Sequence, residues 1–226
     1  MTVAGRTVML AGATSPSGLA IARALVAADA RVIAVGRDQD RLDALADALG
    51  AERAGSVRVE RCSLTDEGAV TALAGRLAAD GEHLDGLVPL VGGWRGGGGL
   101  AGQSEDDYRA LESSFTAIRL TSRAFEADLR ASAAGRFAIL SSTAVARPLA
   151  GGANYAAVKA ASEAWTRAVA QGFAKAAREA DEPLRAAATV LRVKALDSVI
   201  DRVATTIVGL WDADAVAVND RILDVD

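Results

Sequence analysis

Short apolar runs alternate with longer amphipathic segments along the whole chain. Seven of these runs are rich in apolar, often β-branched residues, which is typical of strands buried on both faces of a parallel sheet. They lie at Thr7–Ala11, Arg31–Val35, Ser56–Cys62, Leu84–Val91, Arg136–Ser141, Ala186–Leu191 and Arg221–Val225. With six helical segments between them, the pattern predicts a doubly wound α/β fold of about seven parallel strands with helices on both faces.

The helical segments differ in length. In Ser104–Arg130 apolar residues recur at steps of three and four, and its first residues, Ser-Glu-Asp-Asp, resemble a capping box. A second long helix is predicted from about Ala153 to Ala180, and the last helix over Ser198–Trp211. The apolar stripes of the two long helices indicate packing in the core or between subunits.

Composition narrows the class of protein. A chain of 226 residues is long enough for one well-buried α/β domain, and we expect residues 1–226 to form a single domain. Aromatic residues make up 4% of a chain that is 51% hydrophobic, so small aliphatic side chains must fill the core. The net charge is −4 and the Lys and Arg residues are scattered, which argues against nucleic-acid binding.

The sequence gives little support for a metal site, a disulfide or a membrane-spanning segment. With one cysteine, Cys62, and one histidine, His83, we expect no internal disulfide, no bound metal and no Ser–His–Asp triad. No signal segment is visible, and no apolar run reaches the ~18 residues needed to cross a bilayer. We therefore expect a cytoplasmic protein with no membrane partner.

The first predicted strand leads into a glycine-bearing turn and then a helix. Such a turn places backbone N–H groups and the positive end of the helix against a pyrophosphate. Gly12 permits the tight turn and Gly18 lets the helix pack closely on the sheet, while Ser15 and Pro16 suit the N-cap and the first helical position. The turn indicates a Rossmann-type dinucleotide site.

The end of the second predicted strand bears on which dinucleotide is bound. An NAD-binding unit usually has an acid there, which holds the ribose 2′-hydroxyl. This chain has Gly36 followed by Arg37, and a guanidinium without a carboxylate favours the 2′-phosphate of NADP(H) over NAD(H). Thr14 and Ser15 offer further hydroxyl donors. Alternatively, Arg37 is a solvated loop residue.

One stretch, Gly92–Gly102, is dominated by glycine and cannot form a regular element, so we expect a mobile loop there. It follows the fourth strand, at the edge of the sheet where ligands bind in this architecture. Both a lid over the ligand and a plain flexible connection fit this pattern.

A polar trio stands near the fifth predicted strand. Tyr155 and Lys159 are four residues apart on a predicted helix and share one face. Ser142 lies thirteen residues before Tyr155, at the carboxyl end of the strand. Moving a hydride onto a carbonyl creates an alkoxide, which needs a proton donor within hydrogen-bond reach. Taken singly, the three residues also fit a strand-end cap, a packed helix residue and a solvated charge.

The glycine turn and the trio together resemble the short-chain dehydrogenase/reductase family, and the resemblance extends from Thr7 to Val225. It implies that Tyr155 is the general acid/base, that Lys159 holds the nicotinamide ribose and lowers the pKa of Tyr155, and that Ser142 orients the substrate oxygen. The implied activity is an NADP(H)-dependent interconversion of a small-molecule carbonyl and an alcohol. The resemblance also implies a homo-oligomer, a dimer or tetramer, paired through the two long helices.

The same resemblance implies which residues hold the cofactor. They are Gly12, Thr14, Ser15, Ser17, Gly18, Leu19, Arg37, Ser63, Leu64, Gly92, Tyr155 and Lys159. Ser63 stands where the family has an aspartate that meets the adenine, and Gly92 is the one residue kept from the family's Asn-Asn-Ala-Gly, which begins here with Pro89.

Other positions depart from the family pattern. Pro16 replaces the middle glycine of the turn and offers no N–H, and the family's helical asparagine falls on Ser114 or Phe115, depending on the alignment. After Leu191 the chain goes almost directly into the last helix, without the segment that usually covers the substrate. These departures favour a second hypothesis, a non-catalytic relative that binds or scaffolds, whereas the intact trio favours the enzyme.

Overall fold

A computed structural model describes residues 2–51, 53 and 55–226. In this part of the chain seven strands form one sheet in the order β3-β2-β1-β4-β5-β6-β7, and all of the neighbouring pairs are parallel. The strands are β1 (Thr7–Ala11), β2 (Arg31–Gly36), β3 (Val57–Arg61), β4 (Gly86–Pro89), β5 (Arg136–Ser142), β6 (Ala187–Val193) and β7 (Arg221–Asp224). The predicted doubly wound α/β fold is confirmed.

Helices connect successive strands. They are α1 (Pro16–Ala27), α2 (Gln39–Gly50), α3 (Glu67–Ala79), α4 (Glu105–Ala131), α5 (Ala153–Glu179), α6 (Leu196–Gly209) and α7 (Ala215–Val218). The single-turn helix α7 is one more than the six predicted. Two 3-10 turns, Thr143–Val145 and Ala150–Gly152, lie between β5 and α5. The strand order reverses between β1 and β4, and ligands bind outside the carboxyl ends of the strands at such a point.

Several strands and helices begin or end at other residues than the sequence predicted. β4 begins two residues later than the predicted strand because the Leu84 N–H donates to Asp128 Oδ2 at 3.2 Å instead of pairing in the sheet. β6 runs on to Val193, and α6 begins at Leu196, two residues before the predicted start. Two residues, Lys194 and Ala195, therefore separate β6 from α6, as the missing cover segment predicted.

Two hydrophobic cores cover the two faces of the sheet. Successive side chains of a strand point to opposite faces, and in β1 Val8 and Leu10 enter one core while Met9 and Ala11 enter the other. The first core is closed by α1, α2 and α6, the second by α3, α4 and α5. Burying one Leu-sized side chain contributes about 2 kcal/mol, so the many small contacts compensate for the low aromatic content.

The two long helices, α4 and α5, each of 27 residues, pack against one another. As predicted, the Ser104 hydroxyl caps α4 by accepting the Asp107 N–H at 3.1 Å. Phe115 meets Trp165 edge to face at 6.3 Å between ring centroids, and the Arg119 guanidinium lies over both rings. Neither these nor the other helices in the described ranges are long and apolar enough to cross a membrane. Self-association through α4 and α5 stays a prediction.

Candidate active site

The turn between β1 and α1 has the predicted cap. The Ser15 hydroxyl accepts the Gly18 N–H at 3.0 Å, and Pro16 is the first residue of α1. Proline suits that position because its φ angle is already helical and the first N–H of a helix has no partner within the helix. Pro16 therefore removes one N–H donor from the turn while it supports the start of α1.

Two glycines in this turn are required by close contacts. Gly12 has φ +101°, and a Cβ there would lie 2.9 Å from Val91 Cγ2. A Cβ on Gly18 would lie 2.1 Å from the Ala13 carbonyl oxygen, far inside van der Waals contact. Gly18 does not line a cavity itself; its role is to let α1 approach the turn.

Backbone donors remain available around the turn. The N–H groups of Gly12 and Ala13 both donate to the Val35 carbonyl, at 2.8 and 3.0 Å. Within the described residues, the N–H groups of Thr14, Ser15 and Ser17 have no hydrogen-bond acceptor. Three donors at the positive end of a helix fit an anionic diphosphate.

A cavity of ≈ 270 Å³ lies at the carboxyl ends of β1 and β2. Its lining includes six predicted cofactor residues, Gly12, Thr14, Ser15, Arg37, Leu64 and Gly92, together with Arg41 and Thr65. The structure does not bring Ser63 or Leu19 to this cavity or to the larger cleft described below. The lining contains two arginines and no carboxylate.

The position of Gly36 explains the absence of an acid here. A Cβ on Gly36 would lie 2.9 Å from Thr14 Cγ2 and 3.4 Å from Leu42 Cδ2, so a side chain at this strand end requires the Thr14 side chain to move. Arg41 meets the same turn from α2, where its Nη2 donates to the Thr14 carbonyl at 2.5 Å.

Sequence reasoning missed Arg41, although a local signal existed. Asp38 is the N-cap of α2 and accepts the Arg41 N–H at 3.2 Å. An aspartate cap therefore places residue 41 in the first turn of the helix. Arg41, at that position, lines the same cavity as Arg37, which directly follows β2.

Ser142, Tyr155 and Lys159 all line a second, larger cleft of ≈ 1210 Å³. Ser17 lines it too, and Ser15 and Gly92 line both cavities, so the two form one trench along the carboxyl edge of the sheet. The three catalytic candidates thus share a cleft with the phosphate turn.

The protonation of the trio follows from burial. Burial raises the pKa of Tyr155 above its ordinary value, and the interaction with the Ser142 hydroxyl opposes this rise. Burial lowers the pKa of Lys159 to about 8, and the Glu163 carboxylate opposes this fall. Near neutral pH the phenol is therefore protonated and most of the lysine is charged.

The position of Lys159 bears on its expected effect on Tyr155. Its Nζ donates to the Leu140 carbonyl at 2.8 Å and lies 5.7 Å from the centroid of the Tyr155 ring. Burial is the largest influence on the pKa of the phenol, and it raises this pKa. The lowering of this pKa by Lys159 stays a prediction.

The structure distinguishes the two positions, Ser114 and Phe115, on which the family's asparagine falls in the two alignments. Ser114 is buried and lies beside Gly92, where an added Cβ would approach its Cβ to 3.2 Å. Its hydroxyl donates to the Leu111 carbonyl at 2.6 Å, within its own helix. Phe115 instead contacts Trp165. Of the two, Ser114 is therefore the position next to Gly92, and neither residue lines the two cavities.

The glycine-rich stretch has no regular element, as expected, but hydrogen bonds dock it. The Gly97 N–H donates to the Gly151 carbonyl at 2.7 Å. The Gln103 side-chain amide donates to the carbonyls of Gly97, Gly99 and Gly151 at 3.1, 3.2 and 3.0 Å, and its oxygen accepts the Asn154 N–H at 3.1 Å. The loop is thereby attached to the segment that leads into Tyr155. Sequence reasoning missed Gln103.

We expect Gln103→Ala to release this loop. Amide hydrogen exchange at Gly97 and Asn154 should become about tenfold faster or more, because the hydrogen bonds of the Gln103 side chain, each worth roughly 1 kcal/mol, are lost. Gln103→Glu is the matched control, since it keeps an acceptor for the Asn154 N–H but offers no donor to the three carbonyls. Unchanged exchange in Gln103→Ala would show that other contacts hold the loop.

The glycine turn, the parallel sheet and the polar trio define a Rossmann-type α/β protein. A sequence model of the short chain dehydrogenase family matches residues 6–177. The chain belongs to this family.

Individual relatives agree with that assignment. The chain is 33% identical over 90 residues to a fatty acyl-CoA reductase of Acinetobacter baylyi, covering 40% of this chain and 30% of that protein. It is 32% identical over 136 residues to the dehydrogenase/reductase SDR family member 7B of Bos taurus, covering 57% and 41%. The matches thus span less than half the length of these relatives. A metagenomic short-chain oxidoreductase in complex with NADP superposes with a TM-score of 0.81, 25% identity and full coverage of both chains.

Proposed function

We propose that this protein is an NADP(H)-dependent oxidoreductase that interconverts a carbonyl and an alcohol on a small molecule. One observation carries the proposal: Ser142, Tyr155 and Lys159 line the same cleft as Ser15 and Ser17 of the phosphate turn. A dinucleotide whose diphosphate lies on that turn has the length to reach the trio. When bound, its nicotinamide supplies or accepts the hydride.

The trio has the groups that the proton transfer needs. The raised pKa of Tyr155 keeps the phenol protonated at neutral pH, which is the form that donates a proton to an alkoxide. The Ser142 hydroxyl accepts the Ala144 N–H at 3.1 Å and interacts with the Tyr155 phenol, so both hydroxyls can be directed at one substrate oxygen. Lys159 adds positive charge beneath the phenol, and its ammonium has further donors for a ribose.

The smaller cavity supports NADP(H) over NAD(H). Its two arginines, Arg37 and Arg41, offer planar donors to a 2′-phosphate. Gly36 supplies no carboxylate to hold a 2′-hydroxyl, and Thr14 Cγ2 would lie 2.9 Å from a Cβ there.

We expect NADPH to bind more tightly than NADH, as measured by titration of nicotinamide fluorescence. The double change Arg37→Ala and Arg41→Ala should weaken NADPH binding about 10-fold to 100-fold, because charge-assisted hydrogen bonds contribute about 1.5–3 kcal/mol. NADH binding should change little. Arg109→Ala, on the exposed side of α4, is the control. Equal affinity of the native protein for the two dinucleotides would refute the preference.

The outer wall of the larger cleft points to a substrate with an apolar body. Trp94 and Leu149 line it and are 67% and 70% exposed. Exposed apolar side chains beside a polar site are typical of a ligand-binding surface. Apolar aldehydes and ketones are therefore the first substrates to test.

A binding protein without turnover is the second candidate. The observation that favours it is the two-residue link, Lys194–Ala195, because it leaves no segment to cover the reacting atoms and exclude water. Dinucleotide binding without oxidation of NADPH by any carbonyl in a broad panel would support this candidate over the enzyme.

A further inference from the structure

A buried ion pair lies next to the trio and is not used by the chemistry above. Glu163 on α5 is 5% exposed. Its Oε1 accepts Arg192 Nε at 2.8 Å and its Oε2 accepts Arg192 Nη2 at 2.6 Å, so the pair is bidentate. Oε1 also accepts the Ser141 hydroxyl at 2.6 Å. All three of these hydrogen bonds come from β5 and β6.

The location of the pair connects it to the trio. Glu163 follows Lys159 by one helical turn, and Ser141 precedes Ser142 in β5. Arg192 is in register with Ser141 across the β5–β6 pair. The network therefore joins α5, β5 and β6 where the two strands open onto the cleft, and Lys159 reaches the same strand end through the Leu140 carbonyl.

Stability alone gives little reason for such a pair. Removing two charges from water costs several kcal/mol, and an apolar pair of similar volume would be equally or more stable. Besides its arginine partner, the charge of Glu163 favours the ammonium of Lys159, which is desolvated and on which Glu163 is the carboxylate that acts.

We propose that Glu163, held between Ser141 and Arg192, is a positioning residue that keeps the Lys159 ammonium charged and directed at the floor of the cleft. This inference deepens the proposed function and rests on it for the role of Lys159. Its physical basis is an opposite charge fixed one helical turn away inside a desolvated region.

Charged groups from each neighbouring element determine the net effect on Lys159. Glu163 lies on the same helix and Arg192 comes from β6. The hydrogen bond to Glu163 and, more weakly, the negative charge of Asp224 on β7 raise the pKa of Arg192. Arg147 and Lys194, on the walls of the cleft, add positive charge. Asp197, on the same walls, adds a negative charge. Because Glu163 is the carboxylate that acts on Lys159, removing its charge disfavours the ammonium, whereas removing that of Arg192 does not.

The experiment is an NMR titration of the lysine side chains, which the sequence makes simple. The chain has three lysines, Lys159, Lys175 and Lys194, so their ε-methylene signals can be assigned by single substitutions. In Glu163→Gln, which keeps a hydrogen-bonding group of the same shape, the titration midpoint of Lys159 should fall by about one pH unit. The midpoints of Lys175 and Lys194 should not move.

The matched variant is Arg192→Gln, which breaks the same ion pair from the other side. Here the Lys159 midpoint should stay or rise, because the carboxylate remains and its counter-charge is gone. A purely structural role predicts that both variants shift Lys159 in the same direction, and that result would overturn the proposal. If an unpaired charge prevents folding of either variant, the double change Glu163→Gln and Arg192→Gln replaces them. In that protein the midpoint should still fall, and an unchanged midpoint overturns the proposal.

Turnover then separates this inference from the proposed function. If a carbonyl substrate is reduced, the alkaline limb of the pH–rate profile should move down in Glu163→Gln by the same amount as the NMR midpoint. The titration needs no substrate, so it still decides the role of Glu163 if the protein proves to have no activity.

Discussion

Tyr155→Phe should lower the rate of NADPH-dependent carbonyl reduction by about 10²–10⁴-fold while NADPH still binds. Phenylalanine keeps the ring and its packing on α5 but removes the hydroxyl that gives the proton to the alkoxide. Loss of nicotinamide fluorescence with an apolar aldehyde or ketone measures the rate, and a fluorescence titration measures cofactor binding. The two measurements separate a missing proton donor from a damaged cofactor site.

The chain offers a close control for this variant. Tyr108 is the other of its two tyrosines and lies in the first turn of α4, away from the lining of both cavities. Tyr108→Phe should leave the rate unchanged. Full activity of Tyr155→Phe would remove this phenol from the mechanism, and equal losses in both variants would indicate a general effect on folding.

Lys159→Met should change how stability depends on pH. The pKa of Lys159 is lowered by burial to about 8 from its ordinary value of 10.5, so folding disfavours the ammonium. Below about pH 8 the whole cost is present, and between the two pKa values the unfolded chain binds more protons than the folded chain. The stability of the native protein therefore rises with pH in this window, by about 3 kcal/mol from Lys159.

Methionine has a similar length and no charge, so this rise should disappear in the variant. The measurement is the free energy of unfolding by denaturant at about pH 7 and about pH 10 for both proteins, because the difference between them cancels the other titrating groups. Lys175→Met is the control: it lies on the same helix, and its side chain is 59% exposed. A parallel pH dependence of the native protein and Lys159→Met would show that the ammonium is well solvated in the folded state.

The parts of the fold that follow local rules were predictable. Alternating short apolar runs gave the seven strands, since a strand covered on both faces needs apolar side chains in both directions, as Val8 to Ala11 show. The cap at Ser15 and the helix start at Pro16 follow from the chemistry of adjacent residues. The spacing of Tyr155 and Lys159 placed both on one face of α5 because the helix repeat determines it.

The parts that depend on distant contacts were not predictable. Gln103 contacts a carbonyl 48 residues away, and the two residues of the Glu163–Arg192 pair are 29 residues apart. No local pattern distinguishes these side chains from ordinary surface glutamines, glutamates and arginines. The rise in the pKa of Tyr155 was not predictable either, because the sequence does not show how far burial desolvates the phenol.

The direct passage from β6 into α6 through Lys194 and Ala195 bears on the timing of a catalytic cycle. Because the connection is short, this wall of the cleft is already formed before a ligand binds. Release of a product therefore does not require it to open. If the protein is the enzyme proposed above, we expect the chemical step and proton exchange with water to limit its turnover. The rate should then respond far more to deuterated solvent than to added viscosity.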